Sequence, residues 1–271
     1  MAESTAPAPL TVENVTAGYP GGPAVVRQVS VAAEAGRVVA LAGPNAAGKT
    51  TLLRLMLGQL PCRAGSVHVD GGPVEDLSAP ERARKIGYVP QRGSVTFGYT
   101  VEEVVELGGF AGPAGPERVA AVLGECELEH LRRRPFAELS VGQQQRVLIA
   151  RAMVQLGGEG VALLADEPGS GMDLKHLHVT MHRLRGLAAA GLAVIVVLHD
   201  LNLAARYADD VWLMDKGQMV AAGPWEQVLV PERLEPVYGV TLAVTRPSED
   251  DRPLFSVVAD GKVEVGSSVG S

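Results

Sequence analysis

The chain has 271 residues, enough for one large domain or one domain carrying an inserted subdomain. Hydrophobic residues make up 46% of it and aromatics only 4%, which suits a broad core of Ala, Val and Leu. A net charge of −7 argues against a nucleic-acid partner, and Cys62 and Cys126 belong to no C-x-x-C pair, so a reduced compartment is expected.

Residues 1–9 are polar and proline-rich without an apolar signal segment, and are read as a flexible N-terminus. Leu10 to Thr16 and Val25 to Ala33 read as two short strands joined by the turn Tyr19-Pro20-Gly21-Gly22-Pro23. Arg37 to Ala42 is apolar and partly β-branched, as a buried strand is. It runs into Gly43-Pro44-Asn45-Ala46-Ala47-Gly48-Lys49-Thr50-Thr51, which fits G-x-x-x-x-G-K-[ST]. A helix is predicted over Thr51 to Leu57, stopped by Gly58 and Pro61. Strand, glycine loop and helix together form an anion site, because bare backbone amides and the helix dipole both favour phosphate. Lys49 is placed to reach β- and γ-phosphates, and the Thr50 hydroxyl to hold Mg²⁺.

Ser66 to Gly72 alternates as a half-buried strand, and Ile86 to Val89 is another, with Gln91 just past its end. Gly93 to Gly98 is glycine-rich. Helices are predicted from Thr100 (with Glu103 completing a capping box), over Pro116 to Glu127, and over Ser140 to Gln155. Residues 93 to about 156 therefore read as a helical insertion. Val95, Phe97 and Tyr99 show no core pattern and suggest a partner surface. Strand character returns at Val161 to Ala165, ending in Asp166-Glu167. After Asp173, Leu174, Leu177, Met181, Leu184 and Ala188 recur at helical spacing. Leu192 to Leu198 is the most β-branched strand; it ends at His199-Asp200 and is far too short to span a bilayer. Val211 to Met214 and Gln218 to Ala221 suggest a hairpin, Trp225 to Pro236 a helical or irregular stretch, and Leu254 to Val258 a last strand before a mobile tail over Gly261 to Ser271. A soluble protein is expected, one that meets a membrane only through a partner.

Three groups of residues invite chemistry. Asp166 and Glu167 end a buried strand, where ligands of open parallel sheets lie. Asp166 can anchor a metal and Glu167 can orient and deprotonate water, although paired acids also simply solvate a strand end. Leu139-Ser140-Val141-Gly142-Gln143 reads both as an ordinary capping box and as a helix start able to take an anion, and spacing alone does not choose. His178 and His182, with His176 nearby, lie on one helix, but no acid stands between them as in H-E-x-x-H; a solvated helix face is expected rather than a metal site.

From about Leu10 to Gly239 the chain resembles the ATP-binding subunit of ABC transporters. The resemblance implies an α/β phosphate-loop NTPase core with a mostly parallel sheet, an antiparallel β subdomain and the helical insertion, spanning residues 10–240, followed by a C-terminal extension and tail over 241–271. It further implies that Tyr19 stacks on adenine, that Gly43 to Thr51 hold the phosphates, and that Gln91 is the Q-loop glutamine, reaching both the metal and the reacting water. Asp166 and Thr50 would hold Mg²⁺, Glu167 would be the base and His199 the switch histidine. Ser140, Gly142 and Gln143 would be the signature motif, and Ser170-Gly171-Met172-Asp173 the D-loop. Val141 and Ala46 depart from glycines usual in the family. His199 to Asp209, Ala222-Gly223-Pro224 and Leu234 to Gly239 are similar to importers for iron-siderophore complexes, haem and cobalamin. That similarity implies ATP, Mg²⁺, a second copy of the chain, membrane permease subunits and, indirectly, a substrate-binding protein, at the cytoplasmic face of a membrane. An importer for zinc, manganese or another substrate and a binding module disabled by Val141 stay open; an exporter ATPase is disfavoured by the C-terminal match.

Overall fold

A parallel sheet sits at the centre of the fold because the strongest apolar runs are short and β-branched. The computed structural model describes residues 8–91, 93, 98–112, 115–247 and 252–258. In chain order the elements are β1 (Leu10–Ala17), β2 (Val26–Ala33), β3 (Val38–Ala42), α1 (Lys49–Met56), β4 (Ala64–Val69), β5 (Gly72–Pro73), α2 (Ala79–Lys85) and β6 (Ile86–Val89). The helical stretch follows, with α3 (Val101–Glu106), α4 (Pro116–Glu125) and α5 (Val141–Leu156). Then come β7 (Ala162–Asp166), α6 (Leu174–Ala189), β8 (Ala193–Val197), α7 (Leu201–Tyr207), β9 (Asp210–Asp215), β10 (Gln218–Pro224), α8 (Trp225–Val228), α9 (Pro231–Tyr238), β11 (Leu242–Thr245) and β12 (Leu254–Val257).

The central sheet has the order β10-β9-β3-β8-β7-β6, parallel except for the edge hairpin strand β10. Its middle strands are buried on both faces, which is why they read as unbroken apolar runs. Alternate residues serve two cores. Val38, Ala40, Leu163, Ala165, Val194 and Val196 face the helices, whereas Val39, Leu41, Leu164, Ile195 and Val197 face α1 and the antiparallel sheet β2-β1-β4-β5.

Between residues 93 and 156 the described residues hold α3, α4, α5 and short turns, with one isolated bridge, Thr100 to Pro135, in place of a strand. Thr100 caps α3 by the expected reciprocal bonds with Glu103. Of the expected partner surface, Val95 and Phe97 lie outside the described residues, as do residues 1–7 and the tail over Gly261 to Ser271, whereas Tyr99 is partly buried against the core.

Some expectations change. Helix α1 starts two residues earlier than predicted, at Lys49, because Gly48 at φ +104° caps it directly. Helix α2 was not anticipated, although Ser78 and Glu81 form a full capping box there. The histidine face is partly covered: the His178 ring nitrogen meets the Tyr207 hydroxyl and the His182 ring packs edge-on to Tyr207 at 5.4 Å, while His182 itself stays exposed. Tyr207 is nearly fully buried, so the helix face carrying these histidines covers a partner. The C-terminal extension is docked. Strands β11 and β12 pair antiparallel, and Asn202 on α7 accepts from the Phe255 amide (2.7 Å) and donates to its carbonyl (3.2 Å).

Candidate functional site

Parallel register explains why residues far apart in sequence meet. Leu41 and Asp166 are both level with Val197, and Val89 is level with Ala165. Two residues beyond Leu41, Val89, Ala165 and Val197 stand Gly43, Gln91, Glu167 and His199, at one carboxyl edge of the sheet.

The phosphate loop follows β3. Gly43 sits at φ +142°, and a Cβ there would come within 2.1 Å of the Met214 carbonyl oxygen, so only glycine lets the loop leave the sheet. Ala46 adopts φ +62°, a left-handed conformation that costs an L-residue about 1–2 kcal/mol. That strain gives a physical reason for the glycine common there in the resembling family. Lys49 is buried, and its ammonium donates to the Gly43 and Pro44 carbonyl oxygens at 2.8 Å each. Burial lowers the Lys49 pKa from its ordinary value, opposed by the nearby Glu167 and Asp166 charges. Residues 45–51, Val25, Glu167 and His199 line a cavity of about 400 Å³ around the loop.

Asp166 is also buried and accepts from the Thr50 hydroxyl at 3.2 Å. Burial raises its carboxyl pKa, with the Thr50 bond and the Lys49 charge working against the rise. A carboxylate and a hydroxyl this close fit two adjacent ligands of an octahedral Mg²⁺, whose bonds of about 2.1 Å place neighbouring oxygens about 3.0 Å apart. Among the described residues no cluster of three or more His, Cys, Asp or Glu could hold a metal, so any ion here would complete its shell from phosphate and water.

Glu167 receives two hydrogen bonds, from Gln91 Nε2 at 2.6 Å and from His199 Nε2 at 2.5 Å. It holds φ +50°, unusual for a non-glycine residue, in the turn closed by the Ser170 amide on its carbonyl. The structure thus brings Gln91, Glu167 and His199 together above the phosphate loop. Gln91 has no hydrogen bond to Thr50 or Asp166.

Two expected parts stand elsewhere. Tyr19 is absent from the cavity lining; its hydroxyl accepts from Arg54 at 2.8 Å, and the Arg54 guanidinium lies 5.7 Å from the ring centroid. Ser140, Gly142, Gln143 and Asp173 surround a separate cavity of about 130 Å³ that also contains Arg146, Gly171, Met172 and His176. Ser140 accepts from the Gln143 amide at 3.3 Å, and Gln143 Oε1 accepts from the Ser140 amide at 3.0 Å. The amides of Val141 and Gly142 have no intrahelical partner, as at any helix start. Asp173 caps α6 through the His176 amide at 2.8 Å and also contacts the His176 ring. The reading of the sequence missed Val25, which lines the phosphate cavity, and Arg54, which holds Tyr19. Neither belongs to a motif, and only the fold carries them to their places.

A glycine loop between a parallel strand and a helix, with carboxylates at the next strand's end, defines a phosphate-loop nucleotide-binding cassette. The ABC transporter family model matches residues 26–170. The chain is 41% identical over 241 residues to the hemin import ATP-binding protein HmuV of Pseudomonas fluorescens (strain Pf0-1), covering 87% of this chain and 94% of that one. It is 43% identical over 225 residues to the protein of the same name in Streptomyces coelicolor, covering 80% of this chain and 79% of that one. Among solved structures it superposes on an ABC transporter assigned to the metal-chelate type, in an inward-facing conformation, with a TM-score of 0.76, 28% identity and coverage of 92% and 96%. It also superposes on a bacterial ABC transporter cassette solved as a dimer, with a TM-score of 0.72, 30% identity and coverage of 79% and 98%. The chain belongs to the ABC transporter family, and its fold is that family's ATPase fold.

Proposed function

We propose that this chain is the ATP-hydrolysing subunit of an importer for haem or a related iron chelate. The observation that carries the hydrolytic half is the pairing of Glu167 with both Gln91 and His199 directly over the phosphate loop. The cargo class is supported by the names of the relatives. No helix of the described residues is long and apolar enough to cross a membrane, which suits a subunit that docks on separate permease proteins at a cytoplasmic face.

In this reading the loop amides and Lys49 grip the phosphates, with Lys49 exchanging its two carbonyl partners for phosphate oxygens. Thr50 and Asp166 would hold Mg²⁺, which when bound neutralises charge on the β- and γ-phosphates. Glu167 accepts a hydrogen bond from the attacking water and takes its proton, having lone pairs to spare beyond those used by Gln91 and His199. His199 and Gln91 hold the carboxylate in place, and adenine would stack on Tyr19, whose ring stands outside the loop cavity. Since the Ser140–Gly142 cavity shares no lining residue with the phosphate cavity, a second copy of the chain would supply its helix start to the γ-phosphate. A dimer would then close two such sites.

The test is reconstitution. The chain would be purified with its membrane partners and a substrate-binding protein, and ATP hydrolysis measured with haem, a ferric siderophore, cobalamin or zinc as cargo. Stimulation by haem or an iron chelate is expected. Stimulation by zinc alone would overturn the cargo assignment and leave the ATPase intact.

A further inference from the structure

The start of α5 and the loop after Glu167 lie against each other, and two side-chain choices make that approach possible. A Cβ placed on Gly171 would fall 2.7 Å from Val141 Cγ1 and 3.1 Å from its Cβ. A Cβ on Gly142 would meet the Gly171 carbonyl oxygen at 3.3 Å and Met172 Cγ at 3.4 Å. Val141, whose β-branched side chain is 58% exposed, therefore fills the space that a side chain at 171 would otherwise take.

The loop it touches is short and tied at both ends. It begins at Glu167, which is held by Gln91 and His199, and its first turn is closed by the Ser170 amide on the Glu167 carbonyl at 3.1 Å. A second turn, from the Met172 amide to Gly169, runs into Asp173, the cap of α6. Three residues, 168–170, separate Glu167 from Gly171, where Val141 presses, and two overlapping turns span them.

We infer that Val141 is a positioning residue for hydrolysis: it buttresses the loop that carries Glu167, and it adds a steric bar to any side chain at position 171, where φ +73° already favours glycine. The inference rests on the proposed role of Glu167 as the base. The departure of Val141 from a glycine is then not a defect in the helix start but one half of a matched pair whose other half is Gly171.

A double-mutant cycle on the full-length chain tests this, with Val141→Gly, Gly171→Ala and the double variant compared in ATP hydrolysis. Gly171 sits at φ +73°, so alanine there carries backbone strain in either background, and that common cost cancels in the cycle. Gly171→Ala alone is expected to lower kcat by about tenfold or more while KM for ATP stays within about threefold, because the loop acts on the water-activating group rather than on phosphate binding. In the Val141→Gly background the same substitution should cost less than about threefold. Equal losses in both backgrounds would overturn the pairing. Should Gly171→Ala fold only with Val141→Gly, that rescue supports it. Should it fold in neither, hydrogen exchange of the amides of residues 169–172 decides between wild type and Val141→Gly: faster exchange in the variant supports the buttress, and unchanged exchange refutes it. Lys49→Ala, run in parallel, separates the two levels. If it hydrolyses ATP normally, the site reading itself fails; if it is dead while the cycle is additive, only the buttress fails.

Discussion

Replacing Glu167 with Gln removes one negative charge and little else. In the wild-type chain both carboxylate oxygens accept, from Gln91 at 2.6 Å and from His199 at 2.5 Å. Glutamine keeps one acceptor oxygen and turns an NH₂ toward the other donor. Gln91 can present its own oxygen instead, and His199 can change tautomer, so the local geometry survives at a cost of about 1 kcal/mol or less. Loss of a general base costs roughly 10²–10⁴ in rate, or about 3–5 kcal/mol of barrier. The chemical term outweighs the structural one. Hydrolysis, followed by phosphate release, should fall by that factor, while ATP affinity stays within about threefold because Lys49, Thr50, Asp166 and the loop amides are unchanged. ATP held but not cleaved should then accumulate the closed pair of chains, visible as a dimer by size-exclusion chromatography with Mg-ATP and absent with ADP. Wild-type turnover in Glu167→Gln would refute the assignment of the base. An inert variant that stays monomeric at high protein and ATP concentration would refute the composite site.

Lys49→Ala should leave the fold intact and reduce hydrolysis by at least about 10²-fold, since it removes the one cation on the loop that faces phosphate; a far-ultraviolet circular dichroism spectrum and a phosphate-release assay check both halves. Val141→Gly should change the rate by less than about tenfold, because Ser140 and Gly142 remain, and a gain of several hundredfold would mean that the native chain is impaired. Ala46→Gly should relieve the φ +62° strain but add unfolded-state entropy, for a net gain of about 0–1 kcal/mol in denaturant titration of the nucleotide-free chain. Asp166→Asn should stabilise the nucleotide-free chain at neutral pH. Burial raises the folded carboxyl pKa above its unfolded value, so the wild type loses stability as pH rises through that range and the amide does not. The difference in melting temperature should shrink toward acid pH, and it should reverse with Mg-ATP, which the wild type binds better.

Much of this site was legible because its parts are local. The spacing of Gly43, Gly48, Lys49 and Thr50 requires only a strand before and a helix after, and both announce themselves in apolar runs. The capping boxes at Thr100 and Ser140 are three-residue patterns that the backbone satisfies without help from the rest of the fold. The carboxylates at Asp166 and Glu167 stand out for the same reason, as acids closing a buried strand.

What needed tertiary structure is whatever depends on parallel register and on contacts across loops. Gln91, Glu167 and His199 converge because β6, β7 and β8 run side by side in one direction, and no pattern within any one strand encodes its neighbour's level. The same holds for His178 and His182, whose spacing says nothing of Tyr207 on α7, which packs against part of that otherwise open face. In the C-terminal extension the strand at Leu254 was legible, but its partner β11 was not, because that strand is short and mostly exposed. The Asn202 side chain docks the extension through two hydrogen bonds to the backbone of Phe255, 53 residues along the chain. Val141 is the sharpest case. In sequence it is a lone departure from glycine, and only the closeness of Gly171 turns it into a fitted side chain, because steric complementarity exists between surfaces and not along a chain.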